Sequence, residues 1–335
     1  MKANSQIIIA VDAAGGDYAP HEVVKGAAAA AEEYGIHVAL VGRKALLEKL
    51  LRRYPVEPSL TIIEATEVID CNESPIQAVR SKLDSSIVVG TKLVHDGFAS
   101  AFVSAGNTGA VVSSAFLNLE RIEGVQRPAL CGVVPVDSGN PALLIDVGAN
   151  VDCRPEFLLQ FAQLGTIFAR NVLGIDSPRV GLLDGSDERI EPNLLATESY
   201  KLLKGTNLNF IGSVSGEDIL KAKADVIVTD GFTGNVVIKT IEGLADIVQN
   251  LLTADKAFEI ARDLEGTALV HYAQLASTVG RLDYTECGGA CLLGINGNII
   301  VAHGRSRAKA IKNAIHLAYK AAEAGVVQAI KEGMR

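Results

Sequence analysis

Four short segments place glycine beside Asp or Asn directly after an apolar run. They are "DAAGGD" (Asp12 to Asp17), "SAGNTGA" (Ser104 to Ala110), "DVGAN" (Asp146 to Asn150) and "TDGFTGN" (Thr229 to Asn235). A fifth segment, "AHGRSRAKA" (Ala302 to Ala310), follows another apolar run. Each segment then enters a stretch with helical character. Glycine lets a backbone approach a ligand closely. Bare N–H groups at a helix N-terminus attract anions. Gly15, Gly16, Gly109, Gly231 and Gly234 therefore mark candidate phosphate-binding turns, with Asp17, Thr108 and Thr233 beside them. Asn107, Asn150 and Asn235 add neutral amides, which can donate to a phosphate oxygen or a carbonyl. Each of the three equally suits a helix cap, and one residue can do both.

Lys239 stands four residues after Asn235, on the same helical face. It can reach back toward "DGFTGN" as an anion ligand. His303 ends the strand-like run "NIIVAHG" beside Gly304. A structural and a functional role for it stand level. Asp12 and Asp230 both close an apolar run before a Gly turn. They can cap helices, orient a lysine, or set the tautomer of His303. Several familiar signatures are missing. There is no G-x-x-x-x-G-K-[ST], no clean G-x-G-x-x-G after the first apolar run, and no G-x-S-x-G. A P-loop, the usual dinucleotide site and a covalent serine mechanism are disfavoured.

Short β-branched runs alternate with amphipathic stretches along most of the chain. "QIIIAVDA", "HVALVG", "LTIIEA", "ASAFVSA", "ALCGVVPV", "ALLIDVGA", "RVGLLD", "LNFIGSV" and "DVIVTDG" predict strands. "HEVVKGAAAAAEEYG", "RKALLEKLLRRY", "SPIQAVRSKL", "SIVVGTKLVHDG", "NTGAVVSSAFLNLERI" and "PEFLLQFAQLGTIFARNVLG" predict helices. This alternation predicts an open, mostly parallel sheet with helices on both faces. Ligands bind such sheets outside the carboxyl ends of the strands, so the Gly loops are expected to meet there. "ACLLGINGNIIVAHG" predicts a two-residue hairpin at Asn296-Gly297, which makes the sheet mixed. The chain is expected to form a single α/β unit over 1–335, with a helical insertion at 241–283 that projects from the sheet.

Of the 335 residues, 48% are hydrophobic and only 5% aromatic, with 32 Gly and no Trp, which suits buried strands and tight turns. The net charge of -8 argues against nucleic-acid binding. Cys71, Cys131, Cys153, Cys287 and Cys291 are odd in number and scattered, as in a reducing cytoplasm, and read as ordinary thiols. The first residues run straight into a strand, so no targeting segment is expected, and no apolar run is long enough to span a membrane. A cytoplasmic protein without metal or cofactor is expected.

"AVDAAGGDYAPHEVVKGA", "SAGNTGA", "LLIDVGANVD", "ADVIVTDGFTGNVVIKTIEG" and "GGACLLGINGNIIVAHGRSRAKAIKNAI" together resemble the PlsX family, in order and over nearly the whole chain. These are acyl-carrier-protein:phosphate acyltransferases of bacterial phospholipid synthesis. The resemblance implies a Rossmann-like α/β/α fold, akin to phosphate acetyltransferases and the isopropylmalate dehydrogenase group. It implies a homodimer built partly on the projecting helices. It also implies transfer of a fatty acyl group from acyl carrier protein to inorganic phosphate, with the acyl phosphate passed to a membrane glycerol-3-phosphate acyltransferase. One segment departs from the family, which usually reads N-I-G-x-E-x-x-K-G after "RVGLLD". Here it is "DGSDERIEPN" (Asp184 to Asn193), with Arg189 the nearest cation. Arg and Lys are not interchangeable, which keeps open a paralogue with altered substrate.

On this reading phosphate lies on the amides of the "GNTG" and "GFTGN" loops, with Lys239 and His303 as donors. Asn107, Asn235 or a loop amide meets the thioester oxyanion, and Asp12 and Asp230 orient donors. The rivals are a short-chain phosphate acyltransferase using coenzyme A, and a non-catalytic anion-binding protein. Leu244, Ile247, Val248, Leu251 and Leu252 recur at helical spacing and predict a dimer face. "EGTALVHYAQL" (Glu265 to Leu275) reads as dimer core or as a peripheral membrane contact. Arg305, Arg307, Lys309 and Lys312 form a basic cluster in an acidic chain and suit docking of an acidic carrier protein.

Overall fold

The computed structural model describes residues 6–54, 59–134, 136, 141–184, 193–251, 266 and 288–334. The first half runs β1 (Ile8–Asp12), α1 (His21–Tyr34), β2 (His37–Gly42), α2 (Lys44–Leu51), β3 (Leu60–Glu64), α3 (Pro75–Ser81), α4 (Ser86–His95), β4 (Ala101–Ser104) and α5 (Thr108–Leu119). Next come β5 (Ala129–Val134), β6 (Ala142–Ile145), α6 (Pro155–Leu173), β7 (Val180–Leu183), α7 (Leu194–Lys204), β8 (Phe210–Val214), α8 (Gly216–Leu220) and β9 (Val226–Val228). The chain closes with α9 (Gly231–Leu251), β10 (Ala290–Leu293), β11 (Asn298–Val301), α10 (Ala308–Glu323) and α11 (Val326–Gly333). The nine strands and six helices read from the sequence are all present. α7, α8 and α11 were not anticipated.

All eleven described strands form one sheet in the order β3-β2-β1-β4-β11-β10-β5-β6-β9-β7-β8. The near-continuous apolar runs follow from its two covered faces. Ile9 and Val11 pack on one face with α1, α6 and α10, while Ala10 and Phe102 pack on the other with α4 and α5. Thus a mixed, mostly parallel α/β/α layer is the observed fold, as expected.

The polarity of the strands overturns one expectation. β3, β2, β1, β4 and β11 are mutually parallel. β10 reverses, β5 reverses again, and β6 reverses a third time. β9, β7 and β8 then follow β6. The carboxyl ends of β1, β4 and β11 therefore open on one edge of the sheet, and those of β6 and β9 open on the opposite edge. The four Gly loops do not gather at one edge.

The β10–β11 connection is also longer than the two-residue turn expected at Asn296-Gly297. Residues 294–297 all lie outside the strands, and Gly294 takes the left-handed φ, at +93°. Tertiary contacts decide this turn. Ile122 N donates to Gly294 O (3.0 Å), and Asn296 N donates to Glu120 O (3.1 Å).

Of the segment expected as a helical insertion, residues 241–251 belong to the continuous helix α9. Leu244 and Ile247 are exposed on it. The side chains of Val248 and Leu251, the residue Leu252, and the "EGTALVHYAQL" segment apart from Gly266 lie outside the described residues, as do Cys287 and residues 185–192. Among the described residues, no helix is long and apolar enough to cross a membrane.

Candidate active site

The turn after β1 is organised by Asp12, which is buried. Its Oδ1 accepts from Ala14 N and Gly15 N, both at 3.0 Å, and its Oδ2 accepts from Ser104 Oγ at 2.7 Å. Ser104 Oγ in turn accepts from Gly106 N at 3.0 Å. Gly15 is required by close approach, since a Cβ there would lie 2.8 Å from the Gly106 backbone. Gly16 has φ +105°, which an L side chain resists. Asp17 N donates to Gly304 O (2.8 Å) and so ties in a third loop. Asp12, Gly15, Gly16 and Asp17 thus lock three strand-end loops together.

Asn107 is committed to the scaffold. Its Oδ1 caps α5 through Ala110 N (3.0 Å), and its Nδ2 donates to Asp70 O, Cys71 O and Glu73 O, each at 3.2 Å. Gly109 lies against Pro75. No amide hydrogen of Asn107 remains for a phosphate or an oxyanion.

On the opposite edge a second cluster forms around Asp146, which sequence reasoning missed. Its Oδ1 accepts from Leu130 N, Gly148 N and Ala149 N (3.0–3.1 Å), and its Oδ2 accepts from Asn150 N (2.7 Å) and Nδ2 (2.8 Å). Burial pushes this carboxyl above its ordinary value, while the bonds from Ala149, Asn150 and Leu130 pull it back. Asn150 Nδ2 also donates to Pro128 O (2.8 Å), so this side chain too is structural. Gly231 N donates to Asn150 O (2.8 Å), joining the loops after β6 and β9. Asp230 accepts from Thr233 N (2.8 Å) and Thr233 Oγ1 (2.7 Å) and caps α9. At Gly234 any Cβ would collide with Asp146 O.

α9 connects the two edges. Its 21 residues extend about 30 Å at ~1.5 Å per residue, and its first half covers β5 and β6. Lys239 Nζ lies 2.8 Å from Glu242 Oε2, and His303 Nε2 lies 3.0 Å from the same oxygen. Arg305 N donates to His303 Nδ1 at 3.1 Å. That bond makes Nδ1 the acceptor and leaves the proton on Nε2, facing Glu242. Burial raises the Glu242 carboxyl, but the bonds from His303 and Lys239 outweigh it and hold the group below its ordinary value. Glu242 was not singled out in the sequence. Its signal was the spacing from Asn235 through Lys239, four residues and then three, which keeps one helical face.

These groups border a cavity of about 150 Å³ between α9 and the sheet. Of the predicted site residues, Thr108, Asn235, Lys239 and His303 line it, with Gly304 beside them. Asp12, Gly15, Gly16, Asp17, Asn107, Gly109, Asn150, Asp230, Gly231, Thr233 and Gly234 build the loops behind it. The opposite part is apolar, made by Leu130, Val133, Val147, Ile238 and Val301. Cys153 and Cys291 are poor nucleophiles, since burial pushes their thiols to about 11 and about 12. Among the described residues, no group of three His, Cys, Asp or Glu could hold a metal ion.

The basic cluster follows His303 directly. Arg305, Arg307 and Lys309 are exposed, and Arg307 stacks over Tyr18 at 4.5 Å. Lys312 is paired with Glu33 at 2.7 Å. Glu22 Oε2 accepts from Ala308 N (2.8 Å) and supplies the negative charge that the N-terminus of α10 favours.

A doubly covered mixed sheet with a polar mouth over an apolar cavity is an α/β fold that phosphotransacetylases share. The phosphotransacetylase from Streptococcus pyogenes shares the fold, with a TM-score of 0.64 over 96% of this chain and 95% of that one, at 19% identity. Residues 7–329 match the family model described as "Fatty acid synthesis protein", and the chain belongs to this family of acyltransferases. It is 49% identical over 329 residues to the phosphate acyltransferase of Dehalococcoides mccartyi, covering 98% of this chain and 95% of that one. It is 45% identical over 330 residues to that of Desulforamulus reducens, covering 98% and 97%.

Proposed function

We propose that this acyltransferase moves a fatty acyl group from acyl carrier protein to inorganic phosphate, and that the acyl phosphate serves phospholipid synthesis. The observation that supports this most is the pairing of Lys239 and His303 on Glu242 at the polar mouth of an apolar cavity. A phosphate oxygen attacks the thioester carbonyl carbon, and the carbon–sulfur bond breaks. The sulfur leaves as thiolate and takes up the proton that phosphate gives up. The leaving thiol has an ordinary pKa of about 8.5, so no strong base is needed. Positioning and charge stabilisation then supply most of the rate.

In this reading the Lys239 ammonium and His303 Nε2–H turn from Glu242 to the phosphate and the developing oxyanion. Asn235 is exposed at the cavity, and its amide makes no hydrogen bond among the described residues, so it is the amide donor retained here. Asn107, Asn150, Asp12 and Asp230 hold the loops. Arg305, Arg307 and Lys309 dock the acidic carrier protein beside the mouth.

Exposed Leu244 and Ile247 on α9 are assigned to a homodimer face. Ile247→Glu, followed by light scattering, is expected to give monomers, and a dimer that survived would remove that face. A water-insoluble product handed to a membrane glycerol-3-phosphate acyltransferase also implies transient contact with a lipid surface. Flotation with anionic vesicles reads it, and no shift would count against it.

The donor decides between this reading and a short-chain enzyme using coenzyme A. Palmitoyl carrier protein is expected to be the far better substrate. A preference for acetyl-coenzyme A would overturn the assignment, and phosphate binding with no turnover of either donor would indicate a non-catalytic protein.

A further inference from the structure

The apolar part of the cavity has a specific origin in the sheet. Strand register aligns Leu144 of β6, Gly132 of β5, Ala290 of β10 and Val301 of β11 in one row across four strands. Side chains in register point to the same face, here the one covered by α9. The two middle members of the row are the smallest residues available, glycine and alanine. Larger residues stand on either side, and Leu130 and Leu292 fill the middle of the adjoining row. The missing side chains leave a slot beneath Ile238 and Glu242 that runs from His303 down toward Val147.

Gly132 has no local backbone reason to be glycine, since it lies within a regular strand and glycine weakens strands. A Cβ built there would lie 3.4 and 3.5 Å from the two methyls of Val147 and 3.8 Å from Ile238 Cδ1. These are ordinary contact distances. An alanine therefore fits without strain, and anything larger grows into the slot.

We propose that this slot holds the acyl chain of the substrate, and that Gly132, with Ala290 beside it, sets how long a chain the enzyme accepts. The occupant follows from the lining. A polar mouth, with the Lys239 ammonium and His303 Nε2–H as donors beside Glu242, continues into a floor of Val147, Ile238 and Val301, which suits an amphiphile with a hydrogen-bond-accepting head such as a thioester and a hydrocarbon tail. The inference rests on the acyl-transfer function proposed above.

The test is a chain-length series. kcat/KM is measured with C4, C8 and C16 acyl donors on one carrier for the wild type, Gly132→Ala, Gly132→Val and Ile238→Ala. In Gly132→Val the ratio of C16 to C4 activity is expected to fall by about tenfold or more, the usual scale for misfit of a methylene or two in an apolar pocket. Gly132→Ala should shift the ratio in the same direction by less. Ile238→Ala, which widens the slot from the half-buried helix side, should shift it toward longer chains. Gly132→Ala and Ile238→Ala decide the matter should Gly132→Val not fold. Equal losses at every chain length, or an unchanged ratio in both of those variants, would overturn the slot. A wild type that forms no acyl phosphate with any donor would instead overturn the underlying function.

Discussion

Replacing Glu242 by alanine removes a carboxylate that holds both Lys239 and His303. The two bonds differ in worth. Lys239 is 52% exposed, and an ion pair in water contributes only about 0–1 kcal/mol. His303 and Glu242 are 19% and 14% exposed, so their bond is shielded. A hydrogen bond to a charged group in such a setting contributes about 1.5–3 kcal/mol. Losing it removes the Glu242 bond at Nε2, while Arg305 N still holds Nδ1. If positioning is what Glu242 supplies, kcat/KM for phosphate should fall by about ten- to a hundredfold at ~1.4 kcal/mol per decade. The loss should appear largely in KM for phosphate. Stability should fall by about 1.5–3 kcal/mol, nearly all of it from the shielded His303 bond, because α9 leaves the lysine in water. Glu242→Gln keeps an acceptor for His303 without the charge and should fall between alanine and wild type. The assay is steady-state kinetics at varied phosphate, with thermal unfolding as the control. An alanine variant within about twofold of wild type, or one no worse than glutamine, would refute the reasoning.

Asp146→Ala strands four backbone donors and the Asn150 amide around a buried position, and is expected to cost about 3–5 kcal/mol in urea unfolding. A loss below about 1 kcal/mol would show that the loops do not depend on it. Asp225 is half-buried against Arg179, where burial pushes its carboxyl up and the bonds from Arg179 Nε (3.0 Å), Nη2 (2.8 Å) and N (2.8 Å) bring it below its ordinary value. The folded value therefore lies under the unfolded one, so the stability it contributes is present at neutral pH and lost as pH falls through the folded value. Asp225→Asn should be less stable by about 1–2 kcal/mol at pH 7, with the gap to wild type beginning to close below about pH 4; a gap independent of pH would refute this. Arg305→Glu with Arg307→Glu should weaken the apparent affinity for acyl carrier protein, more so at low salt, and leave the phosphate response nearly unchanged. Movement of the phosphate KM alone would place these arginines in the anion site.

Strands and helices were legible because their signals are local. A sheet covered on both faces demands apolar runs such as "IIIAV" and "ALLI", and these occur where expected. Strand polarity was not legible, because it is set by which strands pair. The antiparallel β5–β6 contact alone sends the carboxyl ends of β6 and β9 to the other edge. Asn296-Gly297 signalled a hairpin correctly, but contacts with Glu120 and Ile122 chose a longer turn. At the site, Lys239 and His303 were readable from their places beside Gly turns, and both border the cavity. Asn107 and Asn150 were ambiguous between cap and ligand contact, and long-range carbonyls at Asp70, Cys71, Glu73 and Pro128 decide for the scaffold. Glu242 looked like any solvated helix acid, since its partner His303 lies 61 residues away in sequence. The slot was equally hidden. A glycine and an alanine in two strands mean nothing until register places them side by side.

The most direct measurement follows acyl phosphate itself, trapped with hydroxylamine from palmitoyl carrier protein and inorganic phosphate, with free thiol counted in the same reaction. Hydroxamate and thiol should appear in step, only when phosphate is present, and both should slow sharply in Lys239→Met at low phosphate. Thiol release without hydroxamate, or hydroxamate formed from acetyl-coenzyme A but not from the carrier protein, would contradict the account.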